Sequence, residues 1–122
     1  MTSRPARVLI ADDEHNIVEM LQDFLVGEGY EVATAGTGGE ALAAVDAFRP
    51  DVLLLDLAMP GMSGAEVLDR PRRRGAQLPV IVISGRLDHE TQGVQVIDKP
   101  FNLSKIGRAV AEALGRTETG GA

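Results

Sequence analysis

Acids, a hydroxyl and an ammonium each follow a short apolar run in this chain. The members of this set are Asp12 and Asp13 after residues 8–11, Asp56 after 52–55, Ser84 after 80–83 and Lys99 shortly after 94–97. If these runs are parallel strands, their carboxyl ends meet at one edge of the sheet, where open α/β sheets bind ligands. Carboxylate oxygens suit Mg²⁺, and an ammonium suits a phosphoryl oxygen. The set therefore predicts a site for a divalent cation and a phosphoryl group.

The apolar runs alternate with segments of helical periodicity along the whole chain. Thr37 and Glu40 have the spacing of a capping box, and Asn102 has the residue type of a helix N-cap. The predicted strands are 7–11, 31–35, 51–55, 79–83 and 94–97, and the predicted helices are 14–27, 38–48, 65–74 and 103–114. This order predicts an α/β fold with a doubly wound, five-stranded parallel sheet and right-handed crossovers.

Two segments depart from regular alternation. Pro71 falls inside the third predicted helix, and a proline in a helix interior costs about 3 kcal/mol, so we expect that helix to kink or end near Arg70. Nine residues, 85–93, separate Ser84 from the fifth strand. A parallel crossover usually takes a dozen residues or more, so the fourth helix is predicted to be short or absent.

Composition limits the kinds of protein this can be. A length of 122 residues suits one domain, which we place at 6–115 between a tail at 1–5 and a polar, disordered tail at 116–122. The net charge of −6 argues against nucleic-acid binding. The absence of cysteine and of any long apolar run predicts a cytoplasmic protein without membrane contact. The basic cluster 70–74 is interpreted as a solvated helix end, with a partner or nucleic-acid patch as the alternative.

Each candidate site residue has an ordinary structural role when taken alone. An Asp-Asp pair after a strand can cap a helix, Asp56 can form a turn, and Lys99 can be a solvated loop residue. In combination, the segments that carry these residues resemble the receiver domain of two-component response regulators, a CheY-like family. The segments are 10–14 (IADDE), 56–64 (DLAMPGMSG), 84–85 (SG) and 99–101 (KPF). The resemblance covers about residues 6–115 and implies the flavodoxin/CheY-like strand order 2-1-3-4-5.

The resemblance also implies a role for each site residue. Asp56, exposed at the end of its strand, would be the phosphoacceptor, since a carboxylate can attack phosphorus. Asp12 and Asp13 would hold Mg²⁺ together with Asp56 and the backbone carbonyl of Ala58. Lys99 would pair with Asp56 and then with the phosphoryl group, and Ser84 would donate a hydrogen bond to it. The phosphodonor would be a histidine kinase or a histidine phosphotransfer protein, and the output protein is unknown. The chain would be a single-domain response regulator or the receiver of a hybrid histidine kinase.

Two departures from the family concern how phosphorylation is read out. Val96 stands where the family usually has Tyr or Phe, so the coupling from Ser84 to an aromatic ring at that position is missing. The shortened fourth helix removes the element that normally shifts. We therefore predict that phosphorylation orders or releases the 85–93 loop instead. His15 and His89 are interpreted as solvated or locally bonded, and not as phosphodonors.

Three other functions are weighed against the receiver hypothesis. A phosphatase with an aspartate nucleophile needs a second acid two residues later for proton transfer, and Ala58 stands there. An FMN carrier needs aromatic stacking, and aromatic residues make up 3% of the chain. A pseudo-receiver that only binds partners stays open, and phosphate labelling would separate it. The domain is predicted not to be an enzyme, apart from catalysing its own phosphorylation and dephosphorylation on Asp56.

Overall fold

The computed structural model describes residues 5–56, 78–84, 95–98 and 101–115 of the chain. Elements are numbered here in chain order within those ranges. They are β1 (Arg7–Ala11), α1 (His15–Gly27), β2 (Glu31–Ala35), α2 (Gly38–Phe48), β3 (Val52–Asp56), β4 (Val80–Ser84), β5 (Gln95–Asp98) and α3 (Leu103–Ala113). The predicted third helix, with Pro71 and the basic cluster 70–74, and the predicted shortened fourth helix lie outside the described residues.

The five strands form one sheet in the order β2-β1-β3-β4-β5, and every neighbouring pair is parallel. This confirms the predicted fold class and strand order. Ala11 at the end of β1 pairs with Ala35 of β2 on one side and with Leu55 of β3 on the other. The chain connects β1 to β2 on one side of the sheet and β3 to β4 and β5 on the other, so the order of connection switches between β1 and β3. The carboxyl ends of two strands at such a switch point are where these folds bind ligands.

Several element boundaries differ from the prediction by one residue. β3, β4 and β5 each begin and end one residue later than predicted, α1 begins one residue later, and α3 ends one residue earlier. Asp51 stays outside β3: its N–H donates to the carbonyl of Arg7, and its carboxylate accepts from the Arg7 N–H. Pro79 has no N–H to donate to the ladder, although its carbonyl accepts from Leu53.

The helix caps agree with the sequence patterns, with one correction. Thr37 Oγ1 accepts from the Glu40 N–H at 3.1 Å, and Asn102 Oδ1 accepts from the Lys105 N–H at 2.8 Å. In a capping box the glutamate would accept from the N–H of Thr37. Here the carboxylate of Glu40 instead accepts from the N–H of Gly36 at 2.8 Å. The side chain therefore stabilises the loop before the helix.

The core has two layers because β1 and β3 are buried on both faces, as expected for central parallel strands. Alternate side chains of these strands point to opposite faces. One layer packs α1 and α3 on the sheet through Val8, Ile10, Leu21, Leu25, Val52, Leu54, Ile81, Ile83, Ile97, Ile106, Ala109 and Val110. The other packs α2 on the sheet through Leu9, Ala11, Ala35, Ala41, Leu42, Leu53 and Leu55. α1 and α3 therefore lie on the same face.

At the amino ends of the strands, Arg7 contacts residues of several elements. Its guanidinium donates to the carbonyl of Phe48 at 2.8 Å, forms a salt bridge with Glu31 at 3.3 Å, and lies 5.3 Å from the centre of the Phe48 ring. The carbonyl of Phe48 is one of the last in α2, and such carbonyls lack partners within the helix. Arg7 therefore links β1 to β2 and to the end of α2, at the edge of the sheet opposite to the acids.

A close contact between α1 and α3 leads to the first testable prediction. A Cβ atom on Gly107 would lie 3.1 Å from Phe24 Cζ. Replacing a helical glycine by alanine stabilises by about 1 kcal/mol, but crowding in a packed contact costs about 1–3 kcal/mol. We expect Gly107→Ala to give no net stabilisation in the wild-type background and to stabilise by about 1 kcal/mol in a Phe24→Leu background. Urea unfolding of the wild type, Gly107→Ala, Phe24→Leu and the double variant measures the coupling between these two positions. Equal effects of Gly107→Ala in the two backgrounds would contradict the prediction.

Candidate phosphoryl and metal site

The site is built where β1 and β3 end side by side. Asp12 follows β1 directly, and its N–H donates to the carbonyl of Ala35 at 3.0 Å, which extends the contact between β1 and β2 by one residue. Its carboxylate oxygen Oδ1 accepts from the N–H of Glu14 at 2.9 Å. The backbone and the side chain of Asp12 are therefore both held in place before α1 begins.

The hydrogen bond from the Glu14 N–H to Asp12 shows how the Asp-Asp pair contributes to the start of α1. Glu14 is the N-cap residue of α1, and an aspartate that accepts from the N–H two residues later forms an Asx-turn. Asp12 thus supports the start of the helix and still belongs to the acidic cluster. The backbone N–H of Glu14 was not among the predicted site groups. The available signal was an Asp placed two residues before the N-cap position of a helix.

Three carboxylates meet at this edge of the sheet. One oxygen from each of Asp12, Asp13 and Asp56 lies within 4.8 Å of the other two. Asp12 and Asp56 are the buried charged residues of the described part, with exposures of 2% and 5%, whereas Asp13 is exposed. Carboxylates this close destabilise one another when ionised. A cation among them removes that repulsion, and a cluster of carboxylate oxygens is the donor set that Mg²⁺ prefers. The residues fit a magnesium site.

The position of Asp56 differs from the prediction in one respect. We expected an exposed carboxylate beyond the strand, but Asp56 is the last residue of β3 and is 5% exposed. The physical reason is the place of β3 in the sheet, since it lies between β1 and β4 and Asp56 pairs with Ile83 of β4. Burial lowers the local dielectric constant and strengthens any interaction of this carboxylate with a bound cation.

The other predicted site residues lie at the same edge or outside the described ranges. Ser84 is the last residue of β4 and is one position beyond the pair formed by Asp56 and Ile83. Val96 lies within β5 and pairs with Val82. Lys99 and the carbonyl of Ala58 fall outside the described residues, as does His89. His15 is exposed at the start of α1, in agreement with a solvated histidine.

Within the ranges that the structure describes, no helix has both the length and the apolar character needed to span a bilayer.

Comparisons with known proteins point to one family. The model of the family described as "Response regulator receiver domain" matches residues 8–111. The chain is 34% identical over 125 residues to the DNA-binding response regulator MtrA of Mycolicibacterium smegmatis, covering 97% of this chain and 54% of that protein. It is 31% identical over 119 residues to the alkaline phosphatase synthesis transcriptional regulatory protein PhoP of Bacillus subtilis, covering 92% and 50%. The chain thus spans about half the length of these relatives.

Solved structures give the same result. The receiver domain of the hybrid histidine kinase CckA superposes with a TM-score of 0.79 at 31% identity, covering 89% of this chain and 99% of that one. The response regulator TrrA of Thermotoga maritima, in complex with Mg²⁺-BeF, superposes with a TM-score of 0.81 at 32% identity and the same coverage. Both similarities extend over nearly the whole of the compared chains.

Proposed function

Because this chain belongs to the response regulator receiver domain family of two-component signalling, we propose that it accepts a phosphoryl group on Asp56. The observation that carries the proposal is the convergence of three carboxylates within 4.8 Å, one of them at the end of a central strand. The chain would act as a phosphoacceptor that changes its interactions when loaded, and not as an enzyme on outside substrates.

The proposed site would hold Mg²⁺ through Asp12, Asp13 and Asp56, with the backbone carbonyl of Ala58 as a further ligand. When bound, the ion neutralises charge on the carboxylates and on the incoming phosphoryl group. A carboxylate oxygen of Asp56 attacks phosphorus, a new O–P bond forms, and the bond from phosphorus to the donor breaks with its electron pair leaving on the donor. The hydrogen bond from Glu14 to Asp12 supports this chemistry, because it orients one carboxylate before any ion binds.

Lys99 and Ser84 complete the proposed machinery. Lys99 follows Asp98, the last residue of β5, and Ser84 ends the neighbouring strand β4. An ammonium at that edge would pair with the carboxylate of Asp56 and then with a phosphoryl oxygen. The hydroxyl of Ser84 would donate a hydrogen bond to another phosphoryl oxygen and so report that phosphate is present. The donor would be a histidine kinase or a histidine phosphotransfer protein.

The test of this function is phosphate incorporation from a small donor. The protein is incubated with acetyl phosphate and Mg²⁺, and intact mass spectrometry is run in acid to preserve the acyl phosphate. We expect a mass increase of one phosphoryl group that disappears when EDTA replaces Mg²⁺. A chain that binds Mg²⁺ but gains no phosphoryl group would instead be a pseudo-receiver, and the proposal would be wrong.

The readout of phosphorylation gives a further prediction. Since Val96 offers no aromatic ring to reorient, we expect the signal to pass from Ser84 to residues 85–93 as a change in order. Hydrogen–deuterium exchange with and without a beryllofluoride mimic of the phosphoryl group measures it. Amides of residues 86–93 should change their protection clearly, while amides in the β1 and β3 core, as an internal reference, should not. Equal protection of 86–93 in both states would contradict this readout.

Some expectations from the sequence stay predictions. These are the domain limits at 6–115 with tails at 1–5 and 116–122, the cytoplasmic location, and the absence of nucleic-acid contact. The relatives that are named DNA-binding response regulators are about twice as long as this chain. The prediction on nucleic acid therefore concerns the receiver part alone, and its reason is the net charge of −6.

A further inference from the structure

The loop between β2 and α2 contacts the phosphoryl site through a single peptide group. The peptide that joins Ala35 to Gly36 is hydrogen-bonded on both sides. Its carbonyl oxygen accepts from the N–H of Asp12 at 3.0 Å, and its N–H donates to Oε1 of Glu40 at 2.8 Å. Glu40 is exposed and is not one of the three clustered acids. It is nevertheless connected to a buried acid of the site through one intervening peptide group.

The start of α2 places Glu40 for this contact. Thr37 is the N-cap residue of α2, and its Oγ1 accepts from the Glu40 N–H at 3.1 Å. The backbone of Glu40 is thus fixed in the first turn, and its side chain reaches back to the residue before the N-cap. Capping of the helix requires only the hydroxyl of Thr37. The bond from the Gly36 N–H to the Glu40 carboxylate is therefore an additional contact, directed at the loop.

A charged acceptor on one side of a peptide group strengthens the hydrogen bond on the other side. A carboxylate forms a stronger hydrogen bond than a neutral acceptor, and hydrogen bonds in a chain polarise one another. The carbonyl of Ala35 should therefore hold the Asp12 N–H more tightly when Glu40 is in place. Asp12 is the first residue after β1, so this bond to β2 fixes its backbone where the strand ends.

We propose that Glu40 is a positioning residue for the magnesium site, acting through the Ala35–Gly36 peptide on the backbone of Asp12. This inference rests on the proposed function, since it concerns an ion held by Asp12 and the other two clustered acids. Mg²⁺ demands nearly ideal octahedral geometry, and a ligand that is already fixed costs less to order on binding. The Glu14 N–H orients the side chain of Asp12, and the peptide bonded to Glu40 fixes its main chain.

The expected effect is a loss of magnesium affinity without the loss of a ligand. Replacing a residue that hydrogen-bonds a metal ligand directly lowers affinity by about 10–100-fold. Glu40 acts through one peptide group, so we expect Glu40→Ala to weaken Mg²⁺ binding by about three- to tenfold. The amide of Asp12 should also exchange with solvent about threefold faster in EDTA, because its acceptor is held less firmly.

Calorimetric titration of Mg²⁺ and amide hydrogen exchange in EDTA, compared across four full-length proteins, test the proposal. The proteins are the wild type, Glu40→Ala, Glu40→Gln and Thr37→Ala. Glu40→Gln loses the negative charge but keeps an oxygen that can accept from the Gly36 N–H, so it should recover most of the lost affinity. It thereby separates the hydrogen bond from the attraction of a nearby carboxylate for the cation.

Thr37→Ala is the matched control for helix stability. It removes the cap of α2 and destabilises the same helix turn, but it leaves the carboxylate of Glu40 and the N–H of Gly36 in place. Urea unfolding should show a loss of stability in Thr37→Ala. Its magnesium affinity and the exchange of its Asp12 amide should nevertheless match the wild type, and amides within β1 serve as the internal reference for exchange.

The same measurements can overturn the proposal. Glu40→Ala would do so by binding Mg²⁺ as tightly as the wild type, or by leaving exchange of the Asp12 amide unchanged. An equal loss of affinity in Glu40→Gln would assign the effect to charge, and an equal loss in Thr37→Ala would assign it to helix stability. These outcomes leave the ion site itself intact. A wild-type chain that binds no Mg²⁺ would instead overturn the proposed ion site together with this inference.

Discussion

Asp56→Asn should abolish phosphoryl incorporation from acetyl phosphate. The change removes the negative oxygen that attacks phosphorus, and an amide is a far weaker nucleophile than a carboxylate. Asn has nearly the same shape as Asp and keeps the packing at the end of β3, so the protein should stay folded. Asp56→Glu should also lose most of its labelling, because one added methylene moves the carboxylate by about 1 Å, and such misplacement can cost about 100-fold in rate.

The control for Asp56→Asn is Asp23→Asn on the exposed side of α1. It removes the same charge and leaves the three clustered acids in place. The mass that Asp23→Asn gains on labelling, and the rate of its labelling, should match those of the wild type. Phosphate that persists in Asp56→Asn, or that peptide mapping finds on another residue, would show that the attachment site has been misassigned.

Asp12→Asn should change stability and magnesium affinity in opposite directions. Two charges 4.8 Å apart at an effective dielectric constant of about 20 repel by about 3 kcal/mol, and Asp12 and Asp56 are both buried with carboxylate oxygens within this distance of each other. Neutralising Asp12 without magnesium should therefore stabilise the fold by about 1–3 kcal/mol. An Asn oxygen can still accept from the N–H of Glu14, so the turn before α1 is retained.

Asp12→Asn should also weaken magnesium binding by about tenfold or more, because affinity for a hard cation increases with the number of charged ligands. Thermal unfolding in EDTA and in saturating Mg²⁺, together with calorimetric titration of Mg²⁺, measures both effects. Glu19→Gln, an exposed charge removal on α1, is the control and should alter neither quantity. An Asp12→Asn protein that is less stable than wild type in EDTA, or that binds Mg²⁺ equally well, would contradict the electrostatic account.

The two predictions separate binding from chemistry. Asp12→Asn weakens the ion site but leaves the nucleophile, so high magnesium should recover part of its labelling. Asp56→Asn lacks the nucleophile, and no magnesium concentration should recover it. Since Asp12 and Asp56 share the site, their effects on magnesium affinity should not be additive, as is usual for neighbouring groups.

Most of the fold could be predicted from local patterns. The apolar runs at β1 and β3, the helical spacing in α1, and the caps at Thr37 and Asn102 each have a physical cause that lies within a few residues along the chain. Central parallel strands read as continuous apolar runs because both of their faces are buried. The strand order rested on resemblance, since alternation of strands and helices is compatible with more than one order.

Other features arise only from contacts between distant parts of the chain. β3 begins at Val52 because Asp51 bonds to Arg7, 44 residues away. Asp56 is buried because β1 and β4 flank its strand, and no local pattern specifies the neighbours of a strand. The close approach of Phe24 on α1 to Gly107 on α3 is also a contact of this kind, and helical periodicity in either segment does not reveal it.

Residue types and their order along the chain were enough to identify the groups that can do chemistry and the elements that carry them. Acids placed directly after apolar strands must lie at the carboxyl edge of a parallel sheet, whatever the strand order. The burial of Asp12 and Asp56 and the exposure of Asp13 follow instead from how the strands pack against one another. Burial and the distance between charges depend on which strands become neighbours. The electrostatic properties of the site were therefore not readable from residue spacing.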